Sequence, residues 1–175
     1  MKAAILLLSR VIGVLLLVGS GVSYGANEDI TKVKAAILFK LTYFVHWPEG
    51  KISDNILDLC VLEDDSLYKE LKTTEGKKSK GFQIRVPDPV RLKNSIADCE
   101  MLYLGTGSVQ TTKNEAGGQP VLMVSDQSEF AKSGGMIQLR ERGGRFRFII
   151  NLKAAKRSGL DISSQLLGMA QKVIK

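Results

Sequence analysis

Hydrophobic residues in this chain occur mainly in short continuous runs, each followed by a polar segment. Continuous apolar runs of about four to eight residues are typical of strands buried on both faces of a parallel sheet. Three segments have this pattern: Ile56–Leu62, which is nearly continuous, Met101–Leu104 and residues 120–125. Residues 82–86 instead alternate between apolar and polar side chains. This alternation predicts a strand with one solvent-exposed face, near an edge of the sheet.

Helical spacing of apolar residues predicts a long amphipathic helix over residues 29–47, ended by Pro48. Shorter helices are predicted over residues 64–71, 90–97, 126–132, 152–157 and 162–174. The Gly143-Gly144 pair predicts a tight turn between two antiparallel strands. Strands that alternate with short helices favour a three-layer α/β domain with a mainly parallel sheet and a C-terminal antiparallel hairpin.

The first 25 residues have the pattern of a signal peptide. Lys2 and Arg10 precede an apolar run over residues 11–18, and a small-residue cleavage site follows at Ser23 and Gly25. A retained anchor is the weaker alternative, because a spanning helix needs about 20 apolar residues. We therefore expect a signal peptide over residues 1–25, cleaved near Gly25, and a single exported domain over residues 26–175.

The predicted removal of the signal peptide lowers the net positive charge of the chain. The whole chain carries 25 basic and 18 acidic residues, a formal charge of +7. Removal of residues 1–25, which hold two basic residues and no acidic one, leaves +5. The lysines of the loop at Lys77, Lys78 and Lys80 have no interleaved aromatic residue for base stacking. We therefore expect no nucleic-acid partner.

No arrangement of residues points to catalysis. His46 is the only histidine, and we interpret it as a partly buried packing residue at a helix end. Gly105 and Gly107 follow a strand, but Gln110 stands where a dinucleotide-binding loop has its third glycine. A simple turn is the favoured interpretation, with an anion-binding nest as the alternative. We predict no catalytic residue, no cofactor and no metal site; a hydrolase is the minor alternative.

The two cysteines are candidates for a disulfide. Cys60 lies in the first predicted buried strand, and Cys99 immediately precedes the second. In an oxidising compartment such a pair is expected to form a bond, which would stabilise the fold by about 3 to 4 kcal/mol. Two separately buried thiols are the alternative.

The predicted hairpin carries the strongest concentration of charge. It contains Arg140, Arg142, Arg145 and Arg147, and on a strand the last two share one face. Guanidinium groups fixed in this way suit carboxylates on a partner, and a simple solvated face is the alternative. We also place Phe44, Trp47 and Asn151 at the predicted partner-binding surface. Core packing is the alternative for the two aromatic residues.

Segments along most of the exported domain together resemble one known family, the YfiR-like periplasmic proteins. The matching motifs are VKAAILFK at 33–40, FVHWP at 44–48, LCVL at 59–62, ADCEMLY at 97–103, PVLMVSD at 120–126, FA and GGMI within 130–137, RFRF and NL within 145–152, and GLDISSQLL at 159–167. The family often has glycine at the position of Glu63 or Asp64, so the turn there is expected to differ.

The resemblance implies a Rossmann-like periplasmic domain that binds no dinucleotide and is not an enzyme. It implies repression of a membrane diguanylate cyclase through the cyclase's periplasmic sensor domain, which lowers cyclic-di-GMP and biofilm formation. It further implies sequestration by an outer-membrane lipoprotein, a possible homodimer, and a structural disulfide that Cys60 and Cys99 match. The alternative function is a periplasmic small-molecule-binding module, with its pocket at the carboxyl ends of the parallel strands.

Overall fold

The computed structural model of the protein describes residues 24–92 and 95–175, with side chains from Ile30 onwards. The predicted signal peptide lies outside the described residues except for Tyr24 and Gly25, which begin the first helix. None of the described helices is both long enough and apolar enough to cross a bilayer.

A large mixed sheet forms the centre of the described domain. The strands are β1 Val45–His46, β2 Ile56–Leu62, β3 Lys78–Ser79, β4 Phe82–Arg85, β5 Met101–Leu104, β6 Leu122–Ser125, β7 Ile137–Arg142, β8 Arg145–Asn151, β9 Asp161–Ile162 and β10 Lys172–Ile174. The helices are α1 Tyr24–Leu41, α2 Asp65–Lys72, α3 Pro89–Leu92, α4 Val109–Glu115, α5 Leu152–Arg157 and α6 Ser164–Met169, with a 3₁₀ turn at Ile96–Asp98.

Strand order confirms the predicted fold class. Across the large sheet the order is β10-β8-β7-β6-β5-β2-β4-β3, and β1 pairs separately with β9. Strands β4, β2, β5, β6 and β7 are mutually parallel, whereas β7 and β8 form an antiparallel hairpin. The chain moves from β2 outwards to β4 and then crosses to β5 on the other side. This reversal between β2 and β5 is the topological switch point of a Rossmann-like sheet.

Alternation along the strands gives the sheet two packed faces. One face carries Leu59, Tyr103 and Val124 into the main core cluster, which also includes residues of α1 and α2. The opposite face carries Leu102 and Met123 into two smaller clusters. Because both faces of the central strands are covered, these strands read as continuous apolar runs in the sequence.

Two of the predicted helices are too long. The first ends at Leu41 rather than residue 47, because the following residues turn and Val45 pairs with Ile162 as strand β1. The predicted helix over residues 162–174 is divided into β9, α6 and β10. Strand β10 runs parallel to β8, with Val173 beside Ile150.

Elsewhere, short helices differ from the prediction. Residues 126–132 form consecutive turns rather than a helix, and α3 ends at Leu92. Conversely, helix α4 begins directly after the Gly105-Gly107 turn, where no helix was predicted. Ser108 is its N-cap, accepting a hydrogen bond from the backbone N–H of Thr111 at 3.3 Å.

Candidate functional site

The predicted disulfide is present. Cys60 of β2 is bonded to Cys99, whose Cα lies 6.1 Å away just before β5. Both residues are 1% exposed and pack in the cluster formed with Leu92, Ile96 and Leu102. The bond therefore joins β2 to the segment that leads into its parallel neighbour β5, and it is shielded from solvent.

Beside this disulfide, at the amino ends of the strands, lie two buried carboxyl groups. Glu100 accepts a hydrogen bond from the backbone N–H of Asp58 at 2.7 Å, and its other oxygen is 3.5 Å from the ammonium of Lys51. The Asp58 carboxylate accepts two hydrogen bonds from Arg85, at 2.6 and 2.7 Å. The four side chains thus form two linked ion pairs.

Burial raises the pKa of Glu100, and the nearby charge of Asp58 adds to the rise, whereas the backbone N–H and Lys51 oppose it. The folded protein therefore binds this proton more tightly than the unfolded chain does. The contribution of Glu100 to the free energy of unfolding accordingly falls as the pH rises above the ordinary value of 4.5.

Glu100→Gln should remove this pH dependence while its amide oxygen still accepts from Asp58. We expect the free energy of unfolding of the wild type to fall relative to that of the variant as the pH rises above 4.5. Urea titrations of both proteins across this range measure the difference. Glu115→Gln, a control at an exposed position, should show the same pH dependence of the free energy of unfolding as the wild type. If the difference in free energy of unfolding between the wild type and Glu100→Gln stays constant with pH, the raised pKa of Glu100 is contradicted.

The carboxyl ends of β5 and β6 are filled by a charged cluster. The ammonium of Lys34, on α1, donates to Asp126 at 2.7 Å and to the Tyr103 hydroxyl at 3.1 Å. It lies 3.7 Å from Asp64, the N-cap of α2. Burial and hydrogen bonding to Asp126 raise the pKa of Tyr103, so this phenol stays protonated. The side chains in this cluster occupy the region where the alternative hypothesis placed a ligand pocket.

Gly105 closes the switch point itself. Its backbone N–H donates to the carbonyl of Leu62 at 2.8 Å. A Cβ at this position would overlap the carbonyl oxygen of Glu63. Glu63 adopts a φ of 59°, the left-handed region that favours glycine. The turn therefore keeps a glycine-like backbone although glutamate stands there.

The predicted aromatic contacts are partly buried. Trp47 donates from Nε1 to the carbonyl of Glu100 at 2.9 Å, and both Trp47 and Phe44 pack against the main core cluster. Phe44 also lines an open groove of about 580 Å³ between the end of α1 and the start of α6. Both aromatic side chains therefore contribute to packing, and their part in partner binding stays a prediction.

His46 is exposed on β1 rather than partly buried. Its Nε2 lies 3.2 Å from the ammonium of Lys80. The packing interpretation is therefore wrong: since residues 45–46 form a strand instead of a helix end, alternation turns this side chain outwards while Val45 is buried.

Four arginines of the hairpin share one sheet face. In the β7–β8 register Arg140 lies directly opposite Arg147, and Arg142 lies opposite Arg145. All four side chains are exposed. We call these four residues the arginine face. The predicted sharing of one face by Arg145 and Arg147 is confirmed, and the other strand doubles the charge.

Asn151, at the far end of β8, differs in its surroundings. It is buried, its side-chain amide donates to the carbonyl of Ala131 at 2.7 Å, and its oxygen accepts from the N–H of Ala154 at 2.9 Å. It is thus the N-cap of α5. The structure does not bring it together with the arginine face.

A family model described as YfiR/HmsC-like matches residues 31–171. The chain belongs to this family. YfiR/HmsC-like proteins are periplasmic regulators of diguanylate cyclase signalling and form a regulatory family. The match covers α1 from Thr31 onwards and every strand of the large sheet except β10.

Solved structures with similar folds are distant in sequence. An ABC domain in complex with L-Trp from Streptococcus pneumoniae matches with a TM-score of 0.50 and 11% identity, over 80% of this chain and 60% of that one. A conserved domain protein from Vibrio cholerae O1 biovar eltor has a TM-score of 0.49 and 10% identity, over 82% and 60%. The YfiR/HmsC-like chain therefore spans 60% of the length of these matches, and the likeness concerns the fold alone.

The charged side chains of this YfiR/HmsC-like chain fall into two sets, internal ion pairs and the exposed arginine face. In the described residues, no group of three or more histidine, cysteine, aspartate or glutamate side chains could hold a metal ion. Lys34, Asp126 and Glu100, which sequence reasoning missed, serve internal ion pairs. Because these pairs join segments far apart in the chain, no local spacing signals them. The arginine face, by contrast, presents charge to the outside.

Proposed function

We propose that this protein binds the periplasmic sensor domain of a membrane diguanylate cyclase and represses the cyclase. Repression would lower cyclic-di-GMP and biofilm formation. The match of residues 31–171 to the YfiR/HmsC-like family carries this proposal. Internal contacts of Lys34 and Gly105 fill the switch point. This favours binding of a protein over the alternative function, which placed a small-molecule pocket at that end of the sheet.

The arginine face is the binding surface that we propose for the sensor domain. Its guanidinium groups are exposed and present several fixed donors that suit carboxylates. Phe44 and Trp47 form a second proposed contact, and Asn151 supports β8 and α5 from within. No catalytic step is needed, because repression by binding requires only a higher affinity for the inactive sensor conformation.

Deleting the gene should raise cyclic-di-GMP and biofilm formation, and expressing the wild-type chain should reverse both. The variant Arg145→Glu/Arg147→Glu should accumulate normally but fail to reverse them. Its new carboxylates face Arg142 and Arg140, so the hairpin gains opposite-charge pairs worth about 0.2 to 1 kcal/mol each. Cyclic-di-GMP levels and the melting temperature of the purified variant provide the measurements.

The control variant Lys69→Glu/Lys77→Glu carries the same change of charge at exposed positions away from the hairpin. It should reverse the deletion fully. An unchanged second-messenger level on deletion, together with no cyclase recovered on the wild-type chain from membranes, would refute the proposed function. Sequestration by an outer-membrane lipoprotein and homodimer formation stay predictions from the family resemblance.

A further inference from the structure

The β7–β8 hairpin extends beyond its neighbours in the large sheet. Strand β6 pairs with β7 only as far as Gln138, and β10 pairs with β8 from Ile149 onwards. Residues 139–148 therefore form a two-stranded ribbon with no further strand beside it in the described part of the chain. The turn at Gly143 and Gly144, with φ values of 60° and 75°, closes the ribbon.

The two faces of this ribbon are in different environments. Leu139, Phe146 and Phe148 lie on the face that packs against the main core cluster. The other face is the arginine face. Arginines placed directly opposite one another repel, which is unfavourable for the hairpin unless an anion lies between them. Within the described residues, none of the four arginines forms an ion pair with a carboxylate.

The outer edge of β8 is open where the arginines are. The carbonyl of Phe148 accepts a hydrogen bond from the N–H of Gln171 at 2.8 Å, so it points away from β7. Backbone direction alternates along an antiparallel strand, so the N–H and C=O of Phe146 point to the same side. Among the described residues, no strand pairs with that side of Phe146. An unpaired edge of this kind is a template for another strand.

We propose that the ribbon binds an extended acidic segment of the partner, which adds as a strand along β8 at Phe146. Alternate side chains of such a segment lie on the arginine face, where carboxylates accept hydrogen bonds from the guanidinium groups. The remaining side chains lie beside Phe146 and Phe148. This inference rests on the proposed function and names the chemistry by which the partner is recognised.

The surface favours a peptide over a membrane. Basic amphipathic segments that lie in a membrane interface carry large apolar side chains that enter it. The exposed large apolar residues of the described chain are Val33, Tyr43, Val90 and Met169, all outside the ribbon. Lipid headgroups also form no backbone ladder with the open edge of β8.

An alternating glutamate–valine hexapeptide with blocked ends is the probe. The wild-type chain should bind it at low salt, and binding should slow hydrogen exchange of the Phe146 amide. Arg145→Glu/Arg147→Glu should weaken binding about tenfold or more, whereas Lys69→Glu/Lys77→Glu should not. A hexapeptide N-methylated on the amides of one edge should also bind about tenfold more weakly, since it cannot extend the ladder.

Equal binding of the N-methylated peptide, or an unprotected Phe146 amide, would overturn strand addition. Equal binding by the arginine variant would overturn the role of the arginine face. Capture by phosphatidylglycerol vesicles without competition from the peptide would assign the face to a membrane instead. If the sensor domain binds the wild type and the arginine variant equally, the inference and the proposed role of the arginine face both fail, while the proposed repression of the cyclase stands. If the wild type binds the peptide but no sensor domain, the proposed function fails alone.

Discussion

Replacing both cysteines by alanine should lower the free energy of unfolding by about 4 kcal/mol. The bond links residues 39 positions apart, so its loss releases a long loop of the unfolded chain. For a domain of this size, this corresponds to a fall in melting temperature of roughly 10 °C. Equilibrium urea unfolding and thermal melting of Cys60→Ala/Cys99→Ala provide the measurements.

Reduction gives the matched comparison for this variant. Both sulfurs are buried, so reductant should act on the wild type only after partial denaturation, and the reduced chain should then unfold like the double variant. Reductant should leave the double variant unchanged. Two titratable thiols in the untreated exported protein, or a loss below about 1 kcal/mol, would contradict a stabilising role.

The disulfide also affects the buried charges beside it. Asp58 lies two residues before Cys60, and Glu100 directly follows Cys99. The bond therefore holds the backbone N–H of Asp58 within reach of the Glu100 carboxylate. Because an unpaired buried charge is costly, the double variant should lose part of this arrangement as well as the loop constraint.

The elements that local sequence could predict are those with a strong pattern of their own. Strands β2, β5 and β6 are nearly continuous apolar runs, and the side chain of Asp64 caps α2 at the start of a predicted helix. The glycine pair of the hairpin adopts the positive φ values that a tight turn requires. In each case the deciding physical cause lies within a few residues of the chain.

The missed elements depend on contacts between distant segments. Strands β1, β9 and β10 contain only two or three residues, too few for a hydrophobic period to be visible. Val45 becomes a strand residue because Ile162 pairs with it, and the predicted helix end is lost as a consequence. The exposure of His46 follows from that same pairing.

The candidate site was predictable to a similar extent. One strand places Arg145 and Arg147 on a single face, and alternation alone is enough for that prediction. That Arg140 faces Arg147 depends on the register of the hairpin, and the free edge at Phe146 depends on where β10 begins. Both properties come from pairing between strands rather than from local composition.

The closed switch point leads to the second large expected effect. Gly105→Ala should destabilise the protein by about 3 kcal/mol, since overpacking in a tight site costs this much. The added Cβ would overlap the Glu63 carbonyl oxygen and lie 2.8 Å from its carbonyl carbon and 3.0 Å from the Asp64 Cβ. Two of these atoms belong to the backbone, in a turn whose φ is already left-handed, so rotamer changes cannot relieve the overlap.

Gly168→Ala supplies the matched control, because it adds the same methyl group within helix α6, where no atom beyond its chain neighbours and the helix backbone lies within 4 Å. It should be neutral or stabilise by up to about 1 kcal/mol, since alanine is the better helix residue. Urea unfolding of both variants measures the contrast. Any shift of Asp64 caused by Gly105→Ala also moves the N-cap of α2 and the partner of Lys34. Equal stability of the two alanine variants would mean that the loops after β2 and β5 can separate. In that case a crevice could open at the switch point. Small-molecule binding there would again be a candidate function.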